Sequence, residues 1–378
     1  MTFALTHEQE AIRDAARSFA RERTPVAHLR ALRDACDPVG FSRGLWGEMA
    51  RLGFVGMVFP ERLGGAGLGY AELGLVVEEL GRNLAPAPLL ATVLGGSAVL
   101  LGGKTALREA TLPAVCTGER VLALAHDEGS RHAPYAVATR AQRDGSGLVL
   151  RGEKSFVLDG HVADAFVVVA RTSGAPGERD GLTLVHVDAR APGVSALRLD
   201  VIDSRNVARV RLDGVRVAEA DVIGAPDRGA DVLDRVLDRG TAALAAEMLG
   251  GAQEAFERTI AYLKTRHQFG VPIGSFQALK HRAAWMFCEV ELARSVVMEA
   301  LRALDGARDD APILVSAAKA RVSDAYALVA NEAVQMHGGV GVTDELDIGL
   351  YLKRARVAEH TLGTAAYHRD RFARLRGY

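Results

Sequence analysis

The strongest constraint on the fold is a change in the spacing of apolar residues along the chain. From about residue 116 to 225 they fall in short β-branched segments, Val121–Ala125, Leu148–Leu150, Ala165–Ala170, Leu182–Val187 and Val207–Val217, separated by turn residues. In the last segment Ala208, Val210 and Leu212 alternate with Arg209 and Arg211, so one face is buried and the other wet. Asp213-Gly214 reads as a turn. On either side the period is helical. Leu73, Val76, Val77 and Leu80 recur at helical steps, with Gly81 as the stop. Past residue 228, Val232, Val236, Leu244, Met248, Leu249, Phe256, Ile260 and Leu263 trace one apolar stripe, and the stretches 280–305 and 312–337 repeat the pattern. Thr6 and Gln9 have the spacing of a capping box, and Pro60–Tyr70 is too glycine-rich for helix. Helices, strands and helices in separate blocks predict an α+β chain divided at 1–115, 116–225 and 226–378.

Charge and composition exclude several classes of function. The net charge is −1 and the pI is near 6.8, so no basic field points to nucleic acid or an anionic membrane. The longest apolar runs, such as Ala165–Ala170, fall far short of the roughly 20 residues that cross a bilayer. The first residues lack the basic and apolar regions of a secretory signal. Cys36, Cys116 and Cys288 are far apart and odd in number, which fits reduced thiols and predicts a cytoplasmic protein. No metal is expected.

Two stretches carry chemistry. In Arg266-His267-Gln268-Phe269-Gly270-Val271-Pro272-Ile273-Gly274-Ser275-Phe276, a helix ends near Thr265 and is followed by a cation, an amide and two aromatic rings. An arginine fork suits a pyrophosphate and a phenyl ring stacks on a planar group, although an arginine also simply complements a helix C-terminus. In Gln335-Met336-His337-Gly338-Gly339-Val340-Gly341, three glycines in four positions let backbone approach a ligand, or cap a helix.

In this order and at this separation, the two stretches resemble the acyl-CoA dehydrogenase family. Further landmarks extend the resemblance along almost the whole chain: Leu5–Glu22, Pro60–Leu68 followed by Val76–Arg82, the hairpin Gly152–Arg171, and Val210–Gly224. The resemblance implies an N-terminal helical domain, a central β-sandwich or barrel-like domain and a C-terminal four-helix bundle. It also implies FAD, held by Arg266, Gln268 and Phe269 of the RxxFG motif, by Ile273 and Phe276 behind it, and by Gln335, Gly338 and Gly339 of the QxxGG loop. Gly363-Thr364 matches the pair near the FAD phosphates, and Phe156 takes the place of the tryptophan beside the isoalloxazine. Because part of each FAD site would come from a neighbouring chain, a dimer or a tetramer is implied. The implied reaction removes the α-proton of an acyl-CoA thioester while a hydride leaves the β-carbon for the flavin, in fatty acid metabolism, with electron-transfer flavoprotein as acceptor.

The chain departs from the family pattern at the base. The usual glutamate immediately before the Gly-Thr pair is Leu362, and the alternative position on the preceding long helix is Gly240. Glu247 lies seven residues after Gly240, about two helical turns on, within the apolar run Ala242–Leu249, and is the candidate base. Glu359 and Asp238 read as solvated helix-face charges, Leu158 replaces a hydroxyl residue, and His126 reads as a loop histidine. Three readings stay open: a dehydrogenase with a displaced base, a silent partner subunit in an assembly with a sister chain, and a flavin monooxygenase or oxidase on the same scaffold.

Overall fold

A computed structural model describes residues 4–378. Along the chain run helices α1 (His7–Arg23), α2 (Val26–Asp34), α3 (Arg43–Arg51), α4 (Tyr70–Arg82), α5 (Leu89–Gly102) and α6 (Thr105–Cys116). Strands β1 (Leu122–Ala125), β2 (Arg140–Asp144), β3 (Gly147–Leu158), β4 (Ala165–Arg171), β5 (Leu182–Asp188), β6 (Val194–Leu199), β7 (Val207–Ala218) and β8 (Val222–Ile223) follow. Then come α7 (Gly229–Thr265), the short strands β9 (His267–Gln268) and β10 (Val271–Pro272), and helices α8 (Gln277–Asp305), α9 (Ala311–His337), α10 (Ile348–His360) and α11 (Ala365–Leu375). This is the α+β architecture expected, with helical parts before and after a central sheet. The chain forms two compact units, each drawn from more than one stretch of sequence.

The first unit combines the chain up to Ala31 with Tyr70–Ala85 and Thr241–Tyr378. Thr6 caps α1 by accepting from the Gln9 backbone, and the Gln9 side chain reciprocates, so the capping box forms. Helix α9 is the spine of this unit, packed by α8, α10 and α11. Its buried residues fall on almost every side, which is why its apolar pattern reads as nearly continuous. The expected stop at Gly81 does not occur: α4 continues through Arg82. A Cβ on Gly81 would collide with the Glu247 carbonyl, and one on Gly250 with the Glu78 carbonyl. These two glycines let the backbones of α4 and α7 meet, a packing requirement rather than a terminus. Around them Arg17 pairs with Glu79 at 2.7 Å, Arg294 with Glu78 at 2.5 Å, and Arg82 with Glu254 at 2.8 Å and with Glu257.

The second unit combines Leu32–Gly69 and Pro86–Gly240. Its sheet runs β6-β7-β3-β2-β4-β5-β8, and β1 pairs with β4 in parallel. Every residue of β1 and β4 is buried. Helix α5, whose residues from Leu89 to Val99 are all buried, packs against both strands. A Cβ on Gly95 would strike the Leu122 carbonyl, so glycine sets how closely α5 approaches β1. Each fully buried Leu or Val there contributes roughly 1.5–3 kcal/mol of hydrophobic stabilisation. Asp213-Gly214 is not a turn. It lies inside β7, where the register with β3 slips between Leu150 and Arg151 and Gly214 takes φ 70°, a β-bulge. Among the described residues no helix is long and apolar enough to cross a membrane. No disulfide joins the three cysteines, and burial pushes the Cys116 thiol up to about 11.

Candidate functional site

The RxxFG motif forms a two-residue hairpin. His267 pairs with Pro272 and Gln268 with Val271, leaving Phe269 and Gly270 as the two central turn residues with φ 55° and 79°. Two positive φ values define the turn that matches the twist of its strands, but asparagine and glycine normally occupy it. Phenylalanine at this φ is strained, and its ring stands 90% exposed at the hairpin tip. Phe276 meets the ring edge-on, with centroids 6.0 Å apart. Arg266 and Gln268 are exposed beside it, and Ile273 is half-buried, its amide donating to the Arg266 carbonyl at 2.8 Å.

The QxxGG loop lies at the foot of this hairpin. Tyr262, one turn before the end of α7, stacks on His337 at the end of α9, with centroids 4.4 Å apart. The Tyr262 hydroxyl donates to the His337 carbonyl at 3.3 Å, and the imidazole donates back into its own helix at Ala333. Gln335, Gly338 and Gly339 are exposed, and a Cβ on either glycine would meet nothing within 4 Å. The structure therefore brings eight expected cofactor residues, from Arg266 to Phe276 and from Gln335 to Gly339, onto one joint of the first unit. An exposed cation, an exposed ring and open glycine backbone are the donor set for a pyrophosphate and a planar ring system, so these residues fit FAD.

The Leu362-Gly363-Thr364 turn is built separately. Leu362 is 4% exposed and takes φ 55°, and Gly363 takes φ 104°. Three groups hold this shape: the Lys319 ammonium donates to the Gly363 carbonyl at 2.8 Å, His368 donates to the Leu362 carbonyl at 2.9 Å, and the Thr364 hydroxyl caps α11. Burial lowers the Lys319 pKa to about 7, against a smaller upward pull from Glu359. No carboxylate replaces the missing base in this turn.

Glu247 sits on α7 inside the first unit, 3.4 Å from the buried Arg354 guanidinium. It is thus an internal ion-paired carboxylate, not one isolated in apolar surroundings. Glu359 pairs with Arg356 at 3.4 Å. Asp238, expected to be solvated, is buried at 5% exposure in the second unit. A cavity of about 400 Å³ in the first unit is lined by Arg17, Glu78, Arg82, Gln253 and Arg294, and by none of the residues expected to hold FAD.

In the second unit, Phe156 stands on a second bulge of β3. Lys154 pairs with Val210 and Val157 with Ala208, so Ser155 and Phe156 oppose one residue of β7. Phe156 takes φ 53° and is 50% exposed, re-aimed out of the sheet. Next to it, the fully buried Lys154 ammonium binds Glu128 at 2.7 Å and the His126 carbonyl at 3.0 Å. Burial alone would raise the Asp127 carboxyl, but His126 and His132, both within 3.0 Å, hold it well below the usual carboxylate range. The grouping of His126, Asp127 and His132 was not anticipated. Its signal is His-Asp-x4-His within seven residues, a spacing that means little until the loop folds back on itself.

Comparison with known proteins agrees with this reading of the fold and of the cofactor. The acyl-CoA dehydrogenase N-terminal domain matches residues 6–119, the middle domain 122–215 and the C-terminal domain 227–375. The probable acyl-CoA dehydrogenase YngJ of Bacillus subtilis is 31% identical over 99% of both chains. The acyl-CoA dehydrogenase IpdE2 of Mycobacterium tuberculosis is 33% identical over 92% of this chain and 91% of its own. Among solved structures, a chain of the ChsE4-ChsE5 complex from Mycobacterium tuberculosis superposes with a TM-score of 0.89 at 30% identity, over 99% of this chain and 98% of that one. The chain belongs to the acyl-CoA dehydrogenase family. It is a flavin-dependent oxidoreductase by class, and FAD is the cofactor.

Proposed function

We propose that the chain catalyses α,β-dehydrogenation of an acyl-CoA thioester and passes the electrons to an electron-transfer flavoprotein in the cytoplasm. The observation that carries this reading is the joint at Tyr262 and His337, where the strained, exposed Phe269 and the open Gly338-Gly339 backbone present ring and phosphate contacts together. Arg266, Gln268, Phe269, Ile273, Phe276, Gln335, Gly338 and Gly339 would hold FAD, with Thr364 and Phe156 as further contacts. Because the joint is exposed on the isolated chain, we assign it to the FAD of a neighbouring subunit, in a homo- or hetero-oligomer such as a tetramer. Bound FAD would accept the β-hydride of the thioester. Glu247 is the candidate for taking the α-proton, so that one C–H pair is lost as proton and hydride and a C=C bond forms. Anaerobic mixing with a panel of acyl-CoAs tests this: bleaching of the flavin that falls about 100-fold or more in Glu247→Gln supports the assignment. Undiminished bleaching in that variant removes Glu247 from the role.

A second reading is favoured by Leu362. With a buried leucine at the usual base position and Gly240 at the alternative one, the chain would serve as the silent partner of a sister subunit. The related ChsE4-ChsE5 structure is a complex of two different chains, which gives this reading a precedent in assembly. It predicts that FAD content and solubility rise on co-expression with the sister chain, and it fails if the chain purified alone already carries one FAD and turns over.

A further inference from the structure

The cavity of about 400 Å³ in the first unit is formed by α1, α4, α7 and α8. Neither Glu247 nor any residue assigned to FAD lines it. Part of its wall is apolar: Leu75 of α4, Leu249 of α7, and Val297, Met298 and Leu301 of α8. Leu249, Val297 and Leu301 are buried, and Met298 is an unbranched side chain that adapts to what packs on it. The rest of the wall is charged, and much of that charge is matched internally. Arg294 meets Glu78 at 2.5 Å, and Arg82 meets Glu254 at 2.8 Å and also Glu257.

Arg13 and Arg17 differ. They lie one turn apart on one face of α1, and both line the cavity. Each reaches a single carboxylate oxygen through Nε and Nη2: Asp14 Oδ1 at 3.1 and 3.0 Å, and Glu79 Oε1 at 3.2 and 2.7 Å. Among the described residues neither Nη1 has a hydrogen-bond partner. The pair at Arg13 is also weak, because Asp14 is its chain neighbour and is 62% exposed, so water screens the attraction. Arginine forks with unused donors beside an aliphatic wall suit an amphiphile with an anionic head. We propose that this cavity binds a linear alkyl carboxylate, its head on Arg13 and Arg17 and its chain along Leu75, Leu249 and Met298. One negative charge fits because the glutamates already offset Arg82 and Arg294. A dianionic phosphate would bring a second charge with no cation left to pair it. This site is additional to those for FAD and the thioester, and its occupancy does not depend on the reaction that the chain performs.

The test is calorimetric titration of sodium decanoate, below its micelle concentration, into the full-length chain reconstituted with FAD. Saturable binding of one decanoate per chain is expected, with the flavin spectrum unchanged. Arg13→Gln should weaken it about tenfold, the worth of one charge-assisted hydrogen bond, and Arg13→Lys should recover part of that loss. Met298→Trp, which fills the cavity, should abolish binding. Decanol, which has the tail without the charge, should bind at least about tenfold more weakly than decanoate. Absence of saturable binding in the parent chain would overturn the proposal. Undiminished binding in both Arg13→Gln and Met298→Trp would also overturn it, by placing the acid elsewhere. Tighter binding of decyl phosphate than of decanoate would overturn it too, by making this a site for phosphate esters.

Discussion

Tyr262 and His337 lie face to face with their ring centroids 4.4 Å apart, and the phenol also donates to the histidine's own carbonyl. This pair fastens the C-terminal end of α7, where the aromatic hairpin begins, to the end of α9, where the glycine loop begins. Tyr262→Ala should cost about 1–2 kcal/mol from the lost stacking and hydrogen bond. It should also lower FAD content more than that cost alone accounts for, since both halves of the joint lose their anchor. Tyr262→Phe keeps the ring and should retain most of the flavin, read from absorbance per chain.

Leu362 occupies the position at which the family pattern has its base, in a turn whose shape is set by Lys319 and His368. If the chain is a dehydrogenase whose proton acceptor is misplaced, Leu362→Glu should raise anaerobic reduction of flavin by acyl-CoA about 100-fold. No gain, in a variant that still binds FAD, would mean that the substrate does not reach this turn.

Gly250 faces the Glu78 carbonyl across the closest approach of α4 and α7. Gly250→Ala forces backbone apart rather than a flexible side chain, so a loss of about 3 kcal/mol is expected despite the better helix propensity of alanine. Thermal unfolding measures it. A variant as stable as the parent would refute the close packing described.

Lys319 introduces a pH dependence. Its folded pKa is near 7, well below the unfolded value, because burial disfavours the ammonium. Below pH 7 both states carry the proton and the cost of burying charge is fully present. As pH rises toward 10 the unfolded chain holds a proton that the folded chain has released, so this group adds stability, at most about 1.4 kcal/mol per pH unit. In Lys319→Met that gain should vanish. Chemical denaturation of both proteins at pH 7.5 and 9.5 checks this, and equal slopes would contradict it.

Much of this fold was legible in sequence because period is a local property. The stripes on α7, α8 and α9 and the alternation in β7 each follow from residues that are near neighbours along the chain. Strands β2 and β6 were not legible: the first is largely exposed and charged, and the second carries little apolar pattern. Gly81 and Asp213-Gly214 were misread for a common reason. A glycine required by a close helix crossing or a bulge looks the same in sequence as one that ends a helix or makes a turn. The compact units could not be anticipated either, since Tyr70–Ala85 groups with residues more than 150 positions away. The cofactor motifs stood out because arginine, phenylalanine and clustered glycines are uncommon together. The histidine cluster did not, because His126 and His132 meet Asp127 only when a loop returns on itself.

The visible absorption spectrum of the purified chain, recorded before and after anaerobic addition of acyl-CoA thioesters, tests the central claim most directly. A flavin band corresponding to about one FAD per chain that bleaches with a thioester is the predicted result. A colourless protein, or a bound flavin that no thioester reduces even when a sister chain is supplied, would contradict it.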